Sequence, residues 1–194
     1  MRVGLGTGST IAWLLPVLAA RAVKDVVYVA TSPATEQVAR EHGLDVRPFT
    51  SFRRLDLAID GADQIAPTGW LVKGGGGAHT REKVVAAAAE RFVVIASSNK
   101  LVAAVAPPIP LELLPFGLES TLRLLESAAL RSAPPSPDRG LLADYLGPVD
   151  DPDQLAMRLS LMPGVVEHGL FPPHLTNEIV VATGSTIRRF RPTA

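Results

Sequence analysis

The residues best suited to chemistry lie in a glycine-rich stretch, residues 71–83, with the sequence Leu-Val-Lys-Gly-Gly-Gly-Gly-Ala-His-Thr-Arg-Glu-Lys. Glycine lacks a Cβ, so the backbone reaches positive φ and a ligand can approach its amide groups closely. Ordering four glycines costs conformational entropy, so we expect that something requires this close approach. Lys73 before the run supplies a cation and Glu82 after it supplies a carboxylate. The alternative is a mobile surface loop before an ordinary helix.

Glu82 is placed to accept a proton. The alanine-rich residues 81–91 predict a helix, and Thr80 is a candidate for its N-cap. Glu82 then lies in the first turn, where the helix dipole favours the ionised carboxylate. The stretch therefore combines a fixed cation, backbone amides and a candidate base.

A second glycine-rich turn, Gly-Thr-Gly-Ser-Thr at residues 6–10, joins a predicted strand, Arg2–Leu5, to an apolar helical stretch that contains Pro16. The first amides of a helix and its dipole form an anion site. No lysine follows as in a P-loop, and the next strand ends in Thr31 and Ser32 rather than in an acid that would bind a ribose. Phosphate binding is the favoured interpretation. Tight packing of the turn, with Thr31 or Ser32 as an N-cap, is the alternative.

A pair of carboxylates follows the third predicted strand, residues 55–59, in the sequence Asp60-Gly61-Ala62-Asp63. Two carboxylates at this spacing can hold sugar hydroxyls, or exchange a proton if one stays protonated. They could also bind a divalent ion through oxygen. Asp-Gly is an ordinary turn former too, so a solvated turn remains open.

The elements that must position these residues are alternating strands and helices. Strands are predicted over residues 2–5, 26–30, 55–59, 70–72 and 92–96, which is typical of a parallel α/β sheet. Ligands of such sheets bind beyond the carboxyl ends of the strands. Each polar motif follows a strand, including the segment that ends at Lys100, so we expect them to converge.

The second half of the chain has a different pattern. Three prolines within residues 106–110 indicate a boundary. Strands over 109–114, 140–146 and 164–171, helices over 116–130 and 152–161, and one more short strand predict a β-α-β-β-α-β unit, which is ferredoxin-like. Residues 178–182 form a strand that returns to the first sheet. The predicted domains are 1–105 with 174–194, and 106–173.

The composition limits the classes of function. The 194 residues carry 19 basic and 19 acidic side chains and no cysteine, and 47% are hydrophobic. The zero net charge argues against nucleic acid or an anionic membrane as partner. Disulfides, thiolate metal sites and cysteine nucleophiles are excluded, no apolar run is long enough to span a bilayer, and the four histidines form no metal-spaced pair. We expect a cytoplasmic protein.

Together these motifs resemble ribose-5-phosphate isomerase, type A. The resemblance also includes Pro-Gly-Val-Val-Glu-His-Gly-Leu-Phe at residues 163–171 and covers nearly the whole chain. It implies a Rossmann-like parallel-sheet domain with an inserted ferredoxin-like α+β lid. It further implies interconversion of D-ribose 5-phosphate and D-ribulose 5-phosphate in the pentose phosphate pathway, no cofactor, no metal, and a homodimer or homotetramer.

The resemblance also implies residue roles. Glu82 matches the catalytic base, and Asp60, Asp63 and Lys73 match polar groups that contact the substrate and take part in catalysis. The residues expected to bind the sugar phosphate are Thr7, Gly8, Ser9, Thr10, Thr31, Ser32, Asp60, Gly61, Ala62, Asp63, Lys73, Gly74, Gly75, Gly76 and Lys100.

This chain departs from the family pattern at four places. The family usually has a helix before its first strand, whereas this sequence starts at the strand. Gln64 replaces an acid, His79 stands where an aliphatic residue is typical, and residues 137–140 replace a lid stretch of Asp-Asn-Gly-Asn. A sugar-phosphate sensor without catalysis is therefore the alternative function. An amino-sugar phosphate deaminase or a CoA transferase is a third, which the glycine run followed by Arg-Glu-Lys argues against.

Overall fold

A computed structural model describes residues 1–192. Their contacts divide into two compact units. Unit one comprises Met1–Ala62, Arg81–Asn99 and His174–Pro192, and unit two comprises Asp63–Thr80 and Lys100–Pro173. These units are groups of contacts rather than folding domains, so the predicted domain boundaries stay a prediction.

Unit one is built on a six-stranded sheet. Its strands are β1 (Arg2–Leu5), β2 (Val27–Ala30), β3 (Leu57–Asp60), β6 (Phe92–Ser97), β12 (Glu178–Thr183) and β13 (Thr186–Phe190). The spatial order is β13-β12-β6-β3-β1-β2, and every neighbouring pair is parallel except β12 with β13. The predicted parallel sheet and the return of residues 178–182 to it are confirmed.

Helices cover both faces of this sheet. On one face α1 (Ser9–Arg21) and α2 (Pro33–Glu41) share a core with alternate β1 residues, Val3 and Leu5, to which α1 contributes Ile11. On the other face α3 (His79–Ala88) packs so closely that a Cβ on Gly4 would lie 2.4 Å from Val85 Cγ1. Gly4 and Gly6 thus face α3, since side chains alternate along a strand.

Unit two contains a four-stranded antiparallel sheet. Strands β7 (Ile109–Leu113), β8 (Ala128–Leu130), β9 (Leu141–Tyr145) and β10 (Val165–His168) lie in the order β10-β7-β9-β8, with α4 (Leu118–Leu125) and α5 (Pro152–Ser160) in the connections. This is the predicted β-α-β-β-α-β unit. The predicted helix over 116–130 is too long, because its last residues form β8 and pair with β9.

A small second sheet completes unit two. Strands β4 (Gln64–Ile65), β5 (Leu71–Val72) and β11 (Leu170–Phe171) are antiparallel, in the order β11-β5-β4. The strand predicted over 70–72 was placed in the parallel sheet, which is wrong: β5 pairs with β4 and β11 instead. Within residues 1–192 no helix is long and apolar enough to cross a membrane.

Candidate active site

The glycine turn after β1 is fixed by the neighbouring strand β3 and by helix α2. Gly6 donates its amide to Ile59 O at 2.9 Å, and Thr35 Oγ1 donates to Gly6 O at 3.0 Å. Gly8 then caps α1 with φ of 118° and makes no side-chain cap hydrogen bond. The first amides of α1, at Ser9 and Thr10, therefore lie at a helix N-terminus that no cap side chain covers, which suits a phosphate.

The turn after β2 brings a second hydroxyl to the first. Thr7 and Thr31 share a hydrogen bond of 2.8 Å between their hydroxyl oxygens, and Thr31 is buried. Ser32 is the N-cap of α2, and its Oγ accepts from the Thr35 amide at 3.2 Å. The N-cap alternative thus holds for Ser32, whereas Thr31 joins its hydroxyl to the glycine turn.

Asp60 ends β3 and is 3% exposed. The amide of Gly61 donates to Asp60 Oδ1 at 2.7 Å. A Cβ on Gly6 would lie only 1.7 Å from Asp60 Oδ1, so the carboxylate occupies the space that a side chain on β1 would fill. Gly6 is therefore a site of close approach as well as part of a turn.

Glu82 lies in the first turn of α3 and is 4% exposed. The last residue of α3, Ala88, accepts a hydrogen bond from Leu55, which precedes β3, so α3 runs against the strands. Its first turn is then at their carboxyl edge. Val85, one turn after Glu82, packs on Gly4, so Glu82 and Asp60 share one face of the sheet near that edge.

The start of α3 corrects one expectation. The helix begins at His79, so Thr80 is inside its first turn and is not the N-cap. Thr80 instead donates its hydroxyl to Glu112 Oε2 at 2.5 Å. Glu82 nevertheless stays in the first turn, where the amides at the helix N-terminus favour its ionised form.

Lys73, in unit two, follows β5 directly and is 3% exposed. Its amide donates to Gly169 O at 2.9 Å, and its Nζ lies 5.4 Å from the centroid of the Phe171 ring. Both partners belong to the segment around β11. The lysine is therefore held by the three-stranded sheet that the sequence pattern did not predict.

The glycine run is less open than its sequence suggests. The Gly75 amide donates to Asp63 Oδ2 at 2.8 Å, and the Gly77 amide donates to Gly74 O at 3.0 Å. The expectation of a loop of unengaged amides is thus wrong for these two glycines. The carboxylate of Asp63 therefore accepts a hydrogen bond from the loop backbone, in addition to any contact with substrate.

The remaining predicted residues lie in the connections between strands and helices. Ala62 lies between Asp60 and Asp63, in the bend that follows β3, and Gly76 is an exposed residue of the glycine run. Lys100 ends a short 3-10 helix, Ser98–Lys100, after β6. Within residues 1–192 no group of three or more acidic or histidine side chains could hold a metal ion.

Sequence reasoning missed several polar residues of unit two. Arg131 donates to Gly74 O at 2.8 Å, and Ser136 donates to Glu112 Oε1 at 2.5 Å. Arg131 was expected to follow a helix, and Ser136 lies in residues 132–138, which the prolines predict to be a loop. Nothing in the sequence pattern pointed to either contact, because both join residues more than 20 positions apart.

Comparison with known proteins gives a consistent result. The sequence profile of ribose 5-phosphate isomerase A (phosphoriboisomerase A) matches residues 27–186. A ribose-5-phosphate isomerase A of Caulobacter vibrioides is 41% identical over 99% of this chain and 91% of its own length. One of Roseobacter denitrificans is 42% identical over 88% of this chain and 73% of its own length.

Solved structures agree with the sequences. Ribose 5-phosphate isomerase A from Neisseria gonorrhoeae superposes with a TM-score of 0.94 at 28% identity, covering 100% of this chain and 89% of that one. A D-ribose-5-phosphate isomerase in complex with phospho-erythronic acid gives a TM-score of 0.92 at 29% identity, covering 98% of this chain and 90% of that one. On its sequence and its fold, the chain belongs to the ribose 5-phosphate isomerase A family.

Proposed function

We propose that this chain interconverts D-ribose 5-phosphate and D-ribulose 5-phosphate through a cis-enediolate, as an aldose–ketose isomerase of the non-oxidative pentose phosphate pathway. The support for this reaction is membership of the ribose 5-phosphate isomerase A family. The observation that carries the residue roles is the burial of Glu82 and Asp60 on one face of the parallel sheet, near its carboxyl edge. The relatives described above are named isomerases, so a sensor without catalysis is not favoured.

The reaction needs one base that serves two adjacent carbons. Moving the carbonyl from C1 to C2 requires removal of the C2 proton of the aldose and delivery of a proton to C1. A single carboxylate on one face of the enediolate performs both steps. Glu82 is our candidate, because the first turn of α3 favours its ionised form.

Three further side chains act on the oxygens of the substrate. Negative charge develops on the enediolate oxygen, and a fixed cation stabilises it in a site shielded from water. Lys73 is buried and takes this role in our proposal. Asp60 assists opening of the furanose ring and proton exchange between O1 and O2, with Asp63 as the second carboxylate. Asp63 also holds the Gly75 amide, so its substitution would affect the loop as well.

The phosphate group of the substrate binds at a distance from the carbons that react. The first amides of α1 and the hydroxyls of Thr7 and Thr31 offer donors at the carboxyl edge of β1 and β2. Binding energy from a phosphate distant from the reacting carbons positions them for proton transfer. One related isomerase was solved with phospho-erythronic acid, whose planar carboxylate has the shape of an enediolate and whose phosphate corresponds to that of the substrate.

The substitution Glu82→Gln tests the proposal. It keeps the side-chain shape but removes the base, so kcat for ribose 5-phosphate should fall roughly 10²- to 10⁴-fold while binding changes little. Turnover is measured as ribulose 5-phosphate formed, with and without EDTA, and binding is measured by titration calorimetry.

Glu36→Gln is the matched control, because Glu36 occupies the first turn of α2 and, among residues 1–192, its carboxylate pairs with Arg40 alone, near the surface. Its kcat should be that of the wild-type enzyme. An unchanged rate in Glu82→Gln would reject Glu82 as the base. Tight binding by a wild-type chain that converts no substrate would indicate the sensor instead.

We also propose that the enzyme is a cytoplasmic homodimer or homotetramer that takes a small sugar phosphate as its partner. The support is the family resemblance. Light scattering of the purified chain measures the oligomeric state, and a monomer would reject the proposed homodimer or homotetramer.

A further inference from the structure

The guanidinium of Arg131 donates hydrogen bonds to two kinds of partner, a carboxylate and backbone carbonyls. Its Nε and Nη2 donate to the two carboxylate oxygens of Asp144 at 2.9 and 2.6 Å. Its Nη1 donates to Gly74 O at 2.8 Å and to Gly75 O at 3.4 Å. Such a fork-to-carboxylate pair fixes the plane of the guanidinium, so the remaining nitrogen points in a defined direction.

The peptide bond between Gly74 and Gly75 is consequently held at both ends. In a trans peptide the carbonyl and the N–H point in opposite directions. Arg131 binds the carbonyl of this peptide, and Asp63 Oδ2 accepts its N–H at 2.8 Å. Rotation of the peptide plane would break both hydrogen bonds at once.

A glycine run needs such restraint more than other loops. Gly74 has φ of 108° and Gly77 has φ of 73°, values that glycine adopts readily but does not prefer over its many other conformations. Side-chain packing cannot select one conformation, because glycine has no side chain. The restraint therefore has to come from groups that bind the backbone.

The four-stranded sheet positions the residues that bind the backbone of the glycine run. Arg131 follows β8 directly, and its amide donates to Leu142 O in β9 at 2.9 Å, while Asp144 lies two residues further along β9. Leu142 is on the same face as Asp144, and its Cδ1 would lie 2.4 Å from a Cβ on Gly77. One face of β9 therefore supports both the arginine and the glycine run.

We propose that Arg131, oriented by Asp144, is a positioning residue that fixes the peptide between Gly74 and Gly75 and thereby the conformation of the glycine run beside Lys73. The inference rests on the proposed function, since it assigns the run to the isomerase site. Arg131 acts through the backbone and does not itself take part in proton transfer.

Replacement of Arg131 by Met tests this, because Met keeps an unbranched apolar stem and removes every donor. We expect hydrogen exchange of the amides in residues 74–78 to rise several-fold in the folded protein, with exchange elsewhere unchanged. The value of kcat/KM should fall about 10- to 100-fold, as small misplacements do in positioned sites. Most of the loss should be in kcat, because charge near Lys73 develops in the transition state.

Arg131→Lys is the conservative variant. One ammonium keeps the charge and can reach a carbonyl, but it cannot form the two-pronged hydrogen bond with Asp144. We therefore expect hydrogen exchange and kcat between those of the wild-type enzyme and Arg131→Met.

Arg158→Met is the matched control. Arg158 also belongs to unit two. It donates to the hydroxyl of Tyr145 in β9 at 2.7 Å and lies over that ring, and within residues 1–192 it has no hydrogen bond to the glycine run. In Arg158→Met, both the hydrogen exchange of the amides in residues 74–78 and kcat should match those of the wild-type enzyme.

Two results would overturn the inference. The first is wild-type exchange of residues 74–78 in folded Arg131→Met. The second is an equal effect of Arg158→Met, which would indicate general destabilisation of the sheet. If the wild-type chain does not convert ribose 5-phosphate, the proposed function fails. The exchange comparison still decides whether Arg131 holds the loop.

Discussion

The two glycine-rich segments of this chain are ordered in different ways. The turn at residues 6–8 is fixed mainly by backbone pairing of Gly6 with Ile59 of β3, and the side chain of Thr35 in α2 adds one hydrogen bond to Gly6 O. The run at residues 74–77 is fixed by side chains of other elements, through Asp63 and Arg131. A glycine-rich segment in the plane of a sheet therefore inherits its geometry from the strand register, whereas one in a loop depends on individual hydrogen bonds.

The difference also appears in what each glycine faces. Gly6 lies against the buried carboxylate of Asp60, while Gly77 lies against the tip of the Leu142 side chain. A buried carboxylate at the end of a strand has little room to move, whereas the tip of a leucine can change rotamer. Substitutions in the first segment should therefore cost more than those in the second.

Gly6→Ala should have the largest effect. The added Cβ would lie 1.7 Å from Asp60 Oδ1, so either the carboxylate or β1 must move. We expect about 1–3 kcal/mol less free energy of unfolding from overpacking, and roughly a 10²-fold loss of kcat/KM from misplacement of Asp60. Chemical denaturation and the isomerase assay measure the two.

Gly8→Ala is the control for this clash. Nothing lies within 4 Å of a Cβ at Gly8, but its φ of 118° is strained for alanine. It should lose about 1–3 kcal/mol of stability through the backbone alone, because φ of 118° with ψ of 176° is a region that essentially only glycine adopts. Equal losses of activity in the two variants would show that backbone strain, and not contact with Asp60, is what matters in this segment.

Gly77→Ala should be the second largest. Its φ of 73° is in the left-handed region, which costs alanine about 1–2 kcal/mol. The Cβ would also lie 2.4 Å from Leu142 Cδ1, which a rotamer change relieves. Thermal unfolding should show the loss of stability, while kcat/KM falls less than in Gly6→Ala. A larger loss of activity than in Gly6→Ala would reverse the comparison.

Thr35→Val tests the hydroxyl that supports the first segment. Valine keeps the shape but leaves Gly6 O without the donor that it has at 3.0 Å, so we expect about 1 kcal/mol less stability. Thr50→Val, at an exposed threonine of unit one, is the control and should be nearly neutral. Denaturation midpoints compare the two, and equal midpoints would show that the strands alone hold the turn.

Asp45→Asn should have the smallest effect on stability, because Asp45 lies outside both glycine-rich segments. The hydrogen bond from Arg47 lowers the pKa of Asp45, so the ionised form favours the folded state. That contribution is present above the unfolded pKa of about 3.9 and is lost as the pH falls through the lower folded value. The melting temperatures of variant and wild type should therefore differ slightly at neutral pH and converge in acid, with no change in kcat. A difference that grows in acid would contradict this.

Much of the fold could be predicted from the sequence. Alternation of strands and helices gave the parallel sheet, and the period of the second half gave the β-α-β-β-α-β unit. Two predictions were wrong for a physical reason: β5 and β8 are only two and three residues long. Such short apolar segments carry no period, so only pairing with β4, β9 and β11 makes them strands.

The primary structure was enough to identify the residue types that are available: a base in the first turn of a helix, a lysine before four glycines, and hydroxyls at a helix N-terminus. These are local properties, set by the order of residues along the chain. The tertiary structure alone decided that Asp63 and Arg131 hold the two ends of one glycine peptide, since those contacts span 12 and 57 positions. Because glycine specifies so few conformations, distant residues must select the one that the loop adopts.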